Sequence, residues 1–151
     1  MEHNLELISI IKYNHFAVNK NLENIDQQYS LREPESGGNS INWVLGHIVL
    51  NRDGVLKLLG CKKMCDKNMK KIYMKASHIR ENKKSVTIKR ILRMFNDSQE
   101  EITKSLSVLD PEENKETVLN IAGYAFHESY HAGQLGILRR IIGKRGKLKF
   151  E

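Results

Sequence analysis

The feature that most restricts the fold of this chain is the scarcity of proline across long stretches with a helical apolar repeat. Only Pro34 and Pro111 are prolines among its 151 residues, and both lie in loop-like surroundings. Proline breaks the interior of a helix, so the long stretches without proline, before, between and after these two positions, are free to form long helices. No run of alternating apolar and polar residues indicates a strand. We therefore expect an all-α protein.

Four segments carry apolar side chains every three or four residues, which is the spacing of one helical face. Glycine, serine and proline mark the ends of these segments. A shorter helix is expected around residues 67–76, within a long basic connection. Four long helices, with one long crossover between the second and the third, predict a four-helix bundle. The predicted segments are about residues 5–29, residues 41–60 after an N-cap at Ser40, residues 87–109, and about residues 116–142 with Gly143 as the stop.

The second predicted helix is apolar on two sides. A helix of this kind is buried on both sides, because each apolar side must leave water. In a chain this small we expect one of the two sides to contact a second copy, which predicts a homodimer. One side carries Trp43, His47, Leu50 and Leu58, and the other carries Ile41, Leu45, Val49, Leu56 and Leu59.

Composition indicates an ordinary globular domain spanning residues 1–151. Hydrophobic residues make up 40% of the chain and charged residues 28%, which is a balance typical of folded domains. No apolar run approaches the roughly 20 residues that a membrane span needs, so no membrane partner is expected. The N-terminal residues lack the basic start of a secretory signal, which favours a cytoplasmic protein.

Basic residues outnumber acidic ones, with a formal net charge of +7. They are concentrated in residues 61–90 and 139–149, and such stretches can attract nucleic acid electrostatically. No stacking platform of aromatic residues and no recognised DNA-binding motif accompanies them. We expect a lysine-rich solvated surface without a specific nucleic-acid partner.

The only two cysteines, Cys61 and Cys65, are separated by three residues. This spacing differs from the C-x-x-C of zinc knuckles, and two thiolates alone do not complete a metal site. In a reducing compartment a disulfide is not expected either. We interpret them as free thiols in a loop.

Two histidines in the fourth predicted helix are placed to act together. His127 and His131 lie four residues apart in the stretch "HESYHAGQLG", so their side chains are about 40° apart around the helix, one turn from each other. Neutral imidazoles at this spacing can hold one metal ion. The face of this helix that we expect to point into the bundle carries Gly123, His127, Tyr130, His131, Gln134, Leu138 and Ile141.

A third ligand is needed, and His47 on the second helix is the best candidate, since it lies on the same side as Trp43 and Leu50. Three histidines leave an ion an open position for water or substrate, as in catalytic sites. His15 lies in the middle of the first helix, where it either lines the cavity or is a fourth ligand, or else has a packing role or a supporting contact to the site, which we favour. Trp43, Tyr13 and Tyr130 are candidate walls of a substrate cavity, whereas His3 and His78 look like solvated or loop residues.

The stretch also spells H-E-x-x-H, the signature of zinc proteases. Those enzymes need a third ligand downstream, but the sequence after His131 contains no histidine, and its one carboxylate is Glu151. No sheet is predicted to hold a peptide substrate, so the protease interpretation fails. Glu128 lies about 60° around the helix from His131. Either it assists catalysis by a hydrogen bond to a ligand or to bound water, or it is a solvated or interface carboxylate that forms a salt bridge.

Two stretches resemble a known family. "SINWVLGHIVLNRDG", followed by "HESYHAGQLGILRRIIGK", resembles the DinB-like (DinB/YfiT) superfamily, whose pattern is a histidine in helix two and H-x-x-x-H-x-G-Q in helix four. The resemblance covers nearly the whole chain in element order. It implies that His47, His127 and His131 form a metal triad for a divalent ion such as zinc, nickel or manganese, in a four-helix bundle that is often dimeric.

The same resemblance implies several functions. Some members are thiol-dependent transferases using bacillithiol or mycothiol, some look like hydrolases or isomerases, and many have no known activity. We therefore expect a metal-dependent enzyme acting on a small molecule, as a thiol S-transferase or a hydrolase. The alternatives are a non-catalytic metal-binding protein of the stress response and a basic nucleic-acid-binding protein.

Overall fold

The computed structural model describes residues 3–74 and 85–148, and all regular structure in these residues is helical. This confirms the all-α class. No helix in the described ranges is both long and apolar enough to cross a membrane. The six helices of these ranges are α1 (Leu5–Leu22), α2 (Gln27–Ser30), α3 (Ile41–Leu58), α4 (Lys67–Tyr73), α5 (Ile88–Val108) and α6 (Lys115–Ile141).

Most helix ends lie where the sequence predicts them. The Ser40 hydroxyl accepts a hydrogen bond from the backbone N–H of Trp43 and so caps α3. After α3 and α6, Gly60 and Gly143 adopt positive φ angles of 71° and 84°, a conformation that glycine reaches without a steric penalty. The short helix expected around residues 67–76 is α4; residues 75 and 76 lie outside the described ranges.

The first predicted helix is too long, because the chain turns between α1 and α2. Asn24 has a φ of 59°, in the left-handed region that ends a helix. Asp26 then caps α2 by accepting a hydrogen bond from the N–H of Tyr29. Ile25 and Tyr29 still pack against the core, which explains why the apolar spacing continues past the true helix end.

The four long helices pack around a core that is divided by a polar layer. Both α1 and α3 pack against α5 and α6. One apolar cluster includes Val49 and Ala132, and the other includes Val55 and Ala125. On α3 and α6 the residues between these clusters include Arg52 and Glu128, both buried. The architecture of a four-helix bundle stays a prediction.

Helix α3 is covered on both of its apolar sides by other helices of the same chain. It packs against α2, α4, α5 and α6, and most of its side chains are buried. The burial predicted for α3 is therefore present without a second copy. The homodimer stays a prediction, but the second apolar side of α3 no longer motivates it.

The prediction for the inward face of α6 is wrong for three residues. Gly123, Tyr130 and Ile141 are exposed, whereas His131 and Leu138 are buried. The reason is that α6 is apolar on two opposite sides, so apolar spacing alone does not decide which side faces the core.

Candidate metal centre

Three histidines meet where α3 and α6 pack together. His47 projects from α3, and His127 and His131 project from successive turns of α6. One ring nitrogen from each of the three lies within 4.8 Å of the others. The Nε2 atoms of His127 and His131 are 3.1 Å apart. The three residues that the sequence predicted as a group are thus close enough to bind one metal ion.

The His47 ring is oriented by a stacking contact on one face and by a hydrogen bond at Nδ1. Its Nδ1 donates a hydrogen bond of 2.8 Å to the backbone carbonyl of Tyr73 at the end of α4. Trp43, one turn earlier on α3, stacks on the ring with centroids 4.8 Å apart. Because a carbonyl only accepts hydrogen bonds, Nδ1 must carry the proton, which leaves Nε2 as a free ligand atom.

Close contact between α4 and α3 makes this arrangement possible. A Cβ atom at Gly46 would lie 2.5 Å from the Tyr73 ring, so only glycine lets the ring lie across α3. The Tyr73 hydroxyl donates to the Asn42 side chain and accepts from the N–H of Val86. These bonds fix the end of α4 and with it the carbonyl that orients His47.

His131 is oriented by its own helix. Its Nδ1 donates a hydrogen bond of 2.7 Å to Oε1 of Gln134, and Nε2 of Gln134 donates to the Tyr130 hydroxyl at 3.0 Å. This chain of bonds fixes the ring and leaves Nε2 of His131 without a proton, 3.1 Å from Nε2 of His127. Such supporting hydrogen bonds are typical of histidines that bind metals.

The electrostatic surroundings keep two of the rings neutral. Burial, followed by the nearby imidazoles His127 and His47, lowers the pKa of His131 to about 4, although its bond to Gln134 opposes the shift. Burial and His47 also lower the pKa of His127. Neutral imidazole is the form that binds a metal ion, so these two rings need not release protons near pH 7.

The donor set fits a divalent transition metal. Ligand nitrogens at about 2.0–2.1 Å from a tetrahedral zinc ion lie roughly 3.4 Å from one another. The pair His127 and His131 is already close to this spacing at 3.1 Å. Three imidazoles suit zinc, nickel and several related ions, so the residues do not select one of them.

Glu128 occupies a buried ion pair beside the three histidines. Its carboxylate oxygens accept hydrogen bonds of 2.8 and 2.7 Å from the Arg52 guanidinium. Both side chains are almost fully buried. In the structure Glu128 is therefore a salt-bridging carboxylate, but its ion pair is buried inside the chain and does not lie at a solvated surface. Its catalytic role stays a prediction.

His15, Tyr13 and His3 do not belong to the group of three histidines. His15 bonds to the Asn96 side chain at 2.8 Å and stacks on Phe95, which is a packing role. Tyr13 is exposed on α1, so its prediction as a cavity wall is wrong. His3 is half-buried near the end of α5, where its backbone N–H bonds to Ser107, and His78 lies outside the described residues.

An open cleft adjoins His127. It has a volume of about 300 Å³ and is lined by Asn51, Asn120, Gly123, Tyr124 and His127. Two amides and a phenol offer hydrogen bonds without any charge, so a small polar molecule can bind beside the imidazoles. A Cβ at Gly54 would lie 2.6 Å from the Tyr124 hydroxyl. The absence of a side chain at Gly54 therefore leaves room for the Tyr124 phenol.

Sequence analysis missed the cleft residues Asn51, Asn120 and Tyr124, and it did not identify Arg52 as the partner of Glu128. One available signal was the polar run Asn51-Arg52-Asp53 inside an otherwise apolar helix. Polar residues at buried positions require partners, and each of these has one. Asn51 bonds to the His47 carbonyl, and Asp53 accepts the N–H groups of Met64 and Cys65.

Both cysteines are free thiols in the loop after α3, as predicted. Burial, followed by the Asp53 carboxylate, raises the pKa of Cys65 to about 12. Neither thiol belongs to the group of three histidines.

Comparison with models of known protein families, with curated proteins and with solved structures found no match to this chain. The resemblance to the DinB-like superfamily therefore rests on the sequence motifs alone.

Proposed function

We propose that this protein is a DinB-like enzyme that uses a divalent metal ion to act on a small molecule. The observation that carries the proposal is the triad itself: three imidazoles from two helices, two of them held in the tautomer that leaves Nε2 free. The four long helices α1, α3, α5 and α6 form the four-helix bundle that supports this site, and α4 lies in its crossover connection.

In this proposal His47, His127 and His131 hold the ion, which can be zinc, nickel or manganese. A metal bound by three neutral ligands keeps its full charge and lowers the pKa of a thiol or a water molecule. The reaction is of the thiol S-transferase or the hydrolase type. A low-molecular-weight thiol is the nucleophile in the first case, and water in the second.

The cleft beside His127 holds the substrate. Asn120 and Tyr124 lie on the α6 side of the cleft and Asn51 on the α3 side, so a bound molecule contacts both helices that carry the triad. These side chains orient the substrate by hydrogen bonds. Glu128 has a structural role in this proposal. Both of its oxygens accept hydrogen bonds from the Arg52 guanidinium, so the pair holds α3 and α6 together beside the site.

Activity of the metal-loaded and metal-free wild type tests the proposal. Each form is assayed with a thiol and an electrophile together, and with a panel of amides and esters. We expect turnover with one of these substrate classes, loss of turnover on metal removal, and its return when the ion is restored. Asn120→Ala and Tyr124→Phe should raise KM while metal content stays unchanged.

Equal rates with and without metal would contradict the enzymatic proposal. Metal binding at the triad without turnover of any substrate would instead favour the non-catalytic alternative, a metal-binding protein of the stress response. The His15→Ala protein is the matched control, since it loses a half-buried imidazole that lies outside the triad.

A further inference from the structure

The outer surfaces of α4 and of the first half of α5 are strongly basic. They carry six cationic side chains, five of them exposed and one, Lys70, half-buried. The buried residues of both helices lie on the opposite sides, which pack into the core. We call this surface the α4–α5 basic face; its residues are Lys67, Lys70, Lys71, Lys89, Arg90 and Arg93.

The two helices form one continuous surface. Both α4 and α5 pack against α3. The Tyr73 hydroxyl at the end of α4 accepts a hydrogen bond from the N–H of Val86, just before α5 begins. At the other end of α4, the Arg90 guanidinium lies 3.5 Å from the carboxylate of Asp66, the residue that caps α4. The cations of α4 are therefore neighbours of those on α5.

The positive charge of this face is almost unopposed. Within the described ranges its one ion pair joins Arg90 and Asp66, whose side chains are 57% and 53% exposed, so water and salt screen the pair strongly. The other five cations make no ion pair with a carboxylate of the described residues. The face therefore presents an excess of positive charge to a partner.

The cations occupy positions that are unfavourable for the helices themselves. Lys67 and Lys71 are four residues apart, as are Lys89 and Arg93, and like charges at this spacing destabilise a helix. Lys89 and Arg90 also lie in the first turn of α5, which contains no acidic residue, although the helix dipole favours anions there. A bound anion would offset both costs. Residues that break local rules in this way are expected where a function requires them.

The second basic stretch of the sequence, residues 139–147, differs from this face because some of its cations are used inside the chain. Arg139 is buried and donates hydrogen bonds to the backbone carbonyls of Asn21 and Glu23. Lys147 lies 3.4 Å from the Glu23 carboxylate. A basic composition therefore does not by itself produce an unpaired surface in this protein.

The chemistry of the face favours the phosphate backbone of a nucleic acid as the partner. Its cations are spread along two helices, so a polymer with regularly spaced charges can contact all of them, whereas a single small anion cannot. The exposed aromatic side chains of the described residues lie on α1 and α6. A protein partner usually needs aromatic contacts, and a helix bound to a membrane needs an apolar side. Phosphate contacts need only cations.

We propose that the α4–α5 basic face binds nucleic acid through its phosphate backbone, without reading the bases. Contacts of lysine and arginine to phosphate carry no sequence information, which agrees with the expectation that the protein has no specific nucleic-acid partner. None of the six residues belongs to the triad or lines the cleft beside His127. The binding therefore does not depend on the proposed enzyme activity.

Fluorescence anisotropy of labelled DNA duplexes, titrated at several salt concentrations, tests the proposal. If the five cations without an ion pair each neutralise one phosphate, the logarithm of the association constant should fall against the logarithm of salt concentration with a slope of about −4.5. We expect a Kd of roughly 10⁻⁶–10⁻⁴ M at physiological salt. The Kd should be the same for unrelated sequences, and the same for the metal-free and the metal-loaded protein.

The double variant Lys71→Gln/Arg93→Gln removes one cation from each helix of the face. It should reduce the steepness of the salt dependence by about 2 and weaken binding at least about tenfold at ~0.1 M salt. The matched control is Lys12→Gln/Lys104→Gln, which removes the same charge from exposed positions outside the face. Its Kd should change less than about threefold, because salt screens distant charges.

Lys89→Glu provides an independent readout, because an acidic residue in the first turn of α5 suits the helix dipole. This variant should unfold at a higher urea concentration than the wild type and bind DNA more weakly. A stabilised Lys89→Glu protein that binds DNA as tightly as the wild type would overturn the proposal.

Three other results would also overturn it. The first is a Kd that is equal in the wild type and in Lys71→Gln/Arg93→Gln, and the second is a salt slope near zero. The third is a complex that prefers one sequence, since such a complex requires base contacts. Binding to vesicles that contain phosphatidylserine, without binding to DNA, would assign the face to a membrane surface instead.

Discussion

Both carboxylate oxygens of Glu128 accept hydrogen bonds from Arg52, in the polar layer that separates the two apolar clusters of the core. The same guanidinium donates to the Phe95 carbonyl and the Ser98 hydroxyl and lies over the Phe95 ring at 3.9 Å. One buried ion pair thus joins α3, α5 and α6 directly beside His127. Removal of this ion pair should mainly lower the free energy of unfolding, and any effect on turnover should be secondary.

Glu128→Ala is expected to destabilise the protein by about 3–5 kcal/mol, because it leaves the Arg52 charge buried without its partner. Urea denaturation of the metal-free protein measures the loss. Glu101→Ala, on the exposed face of α5, should change the free energy of unfolding by less than about 0.5 kcal/mol. A loss under about 1 kcal/mol for Glu128→Ala would mean that solvent reaches the pair.

Glu128→Gln separates a structural role from a catalytic one. The amide keeps one acceptor oxygen but turns an N–H₂ group towards Arg52, so we expect lower stability with one metal ion still bound per chain. A general base would instead show turnover reduced by roughly 10²–10⁴-fold at unchanged stability. Turnover and denaturation measured on the same preparation decide between the two.

Replacing any member of the triad should remove most of the metal affinity. His47→Ala, His127→Ala and His131→Ala each leave two imidazoles, which do not form a tight site. We expect one divalent ion per chain in the wild type and in His15→Ala, and substoichiometric metal in the three triad variants, measured by elemental analysis after dialysis. Full metal content in His47→Ala would exclude that residue from the site.

Gln134→Ala tests the hydrogen bond that orients His131. Its Oε1 accepts the Nδ1 proton of His131 at 2.7 Å, and loss of such a supporting bond typically lowers metal affinity by about 10–100-fold. Tyr130→Phe removes only the hydroxyl that accepts a bond from Gln134, so it should have a smaller effect. Competition with a metal chelator of known affinity measures both. An unchanged affinity in Gln134→Ala would show that the helix alone orients the ring.

The sequence was sufficient to predict the helical class, most helix ends and the three histidines, because each leaves a local signal. Ser40 and Gly60 mark the ends of α3, and His127 and His131 share one side of α6 through their spacing alone. His47 followed from a polar ring on an apolar helical side. These features depend on residues close together in the chain.

The features that the sequence did not predict depend on contacts between distant segments. Arg52 and Glu128 are 76 residues apart, and nothing in either local stretch identifies the partner. The two apolar sides of α6 were assigned incorrectly for a similar reason. Helical spacing identifies an apolar side, but only the packing of α1 and α3 shows which side is inside.

The last prediction concerns Cys65. Burial and the Asp53 carboxylate raise the pKa of this thiol to about 12. Only the thiolate reacts with alkylating reagents. In concentrated urea the pKa of Cys65 returns to about 8.5. In the Cys61→Ser protein at pH 8 we therefore expect Cys65 to react about 10²-fold more slowly in the native state than in urea. This factor allows for the greater nucleophilicity of a high-pKa thiolate.

The pH dependence of this rate provides the decisive readout. Below its pKa a thiol gains thiolate tenfold per pH unit, so the native rate should rise steadily between pH 8 and pH 11. In urea the rate should level off above about pH 9. Asp53→Asn removes the carboxylate that faces Cys65 and should shift the native profile to lower pH. A native rate that levels off near pH 9 would show that the loop opens and that Cys65 reacts as an ordinary exposed thiol.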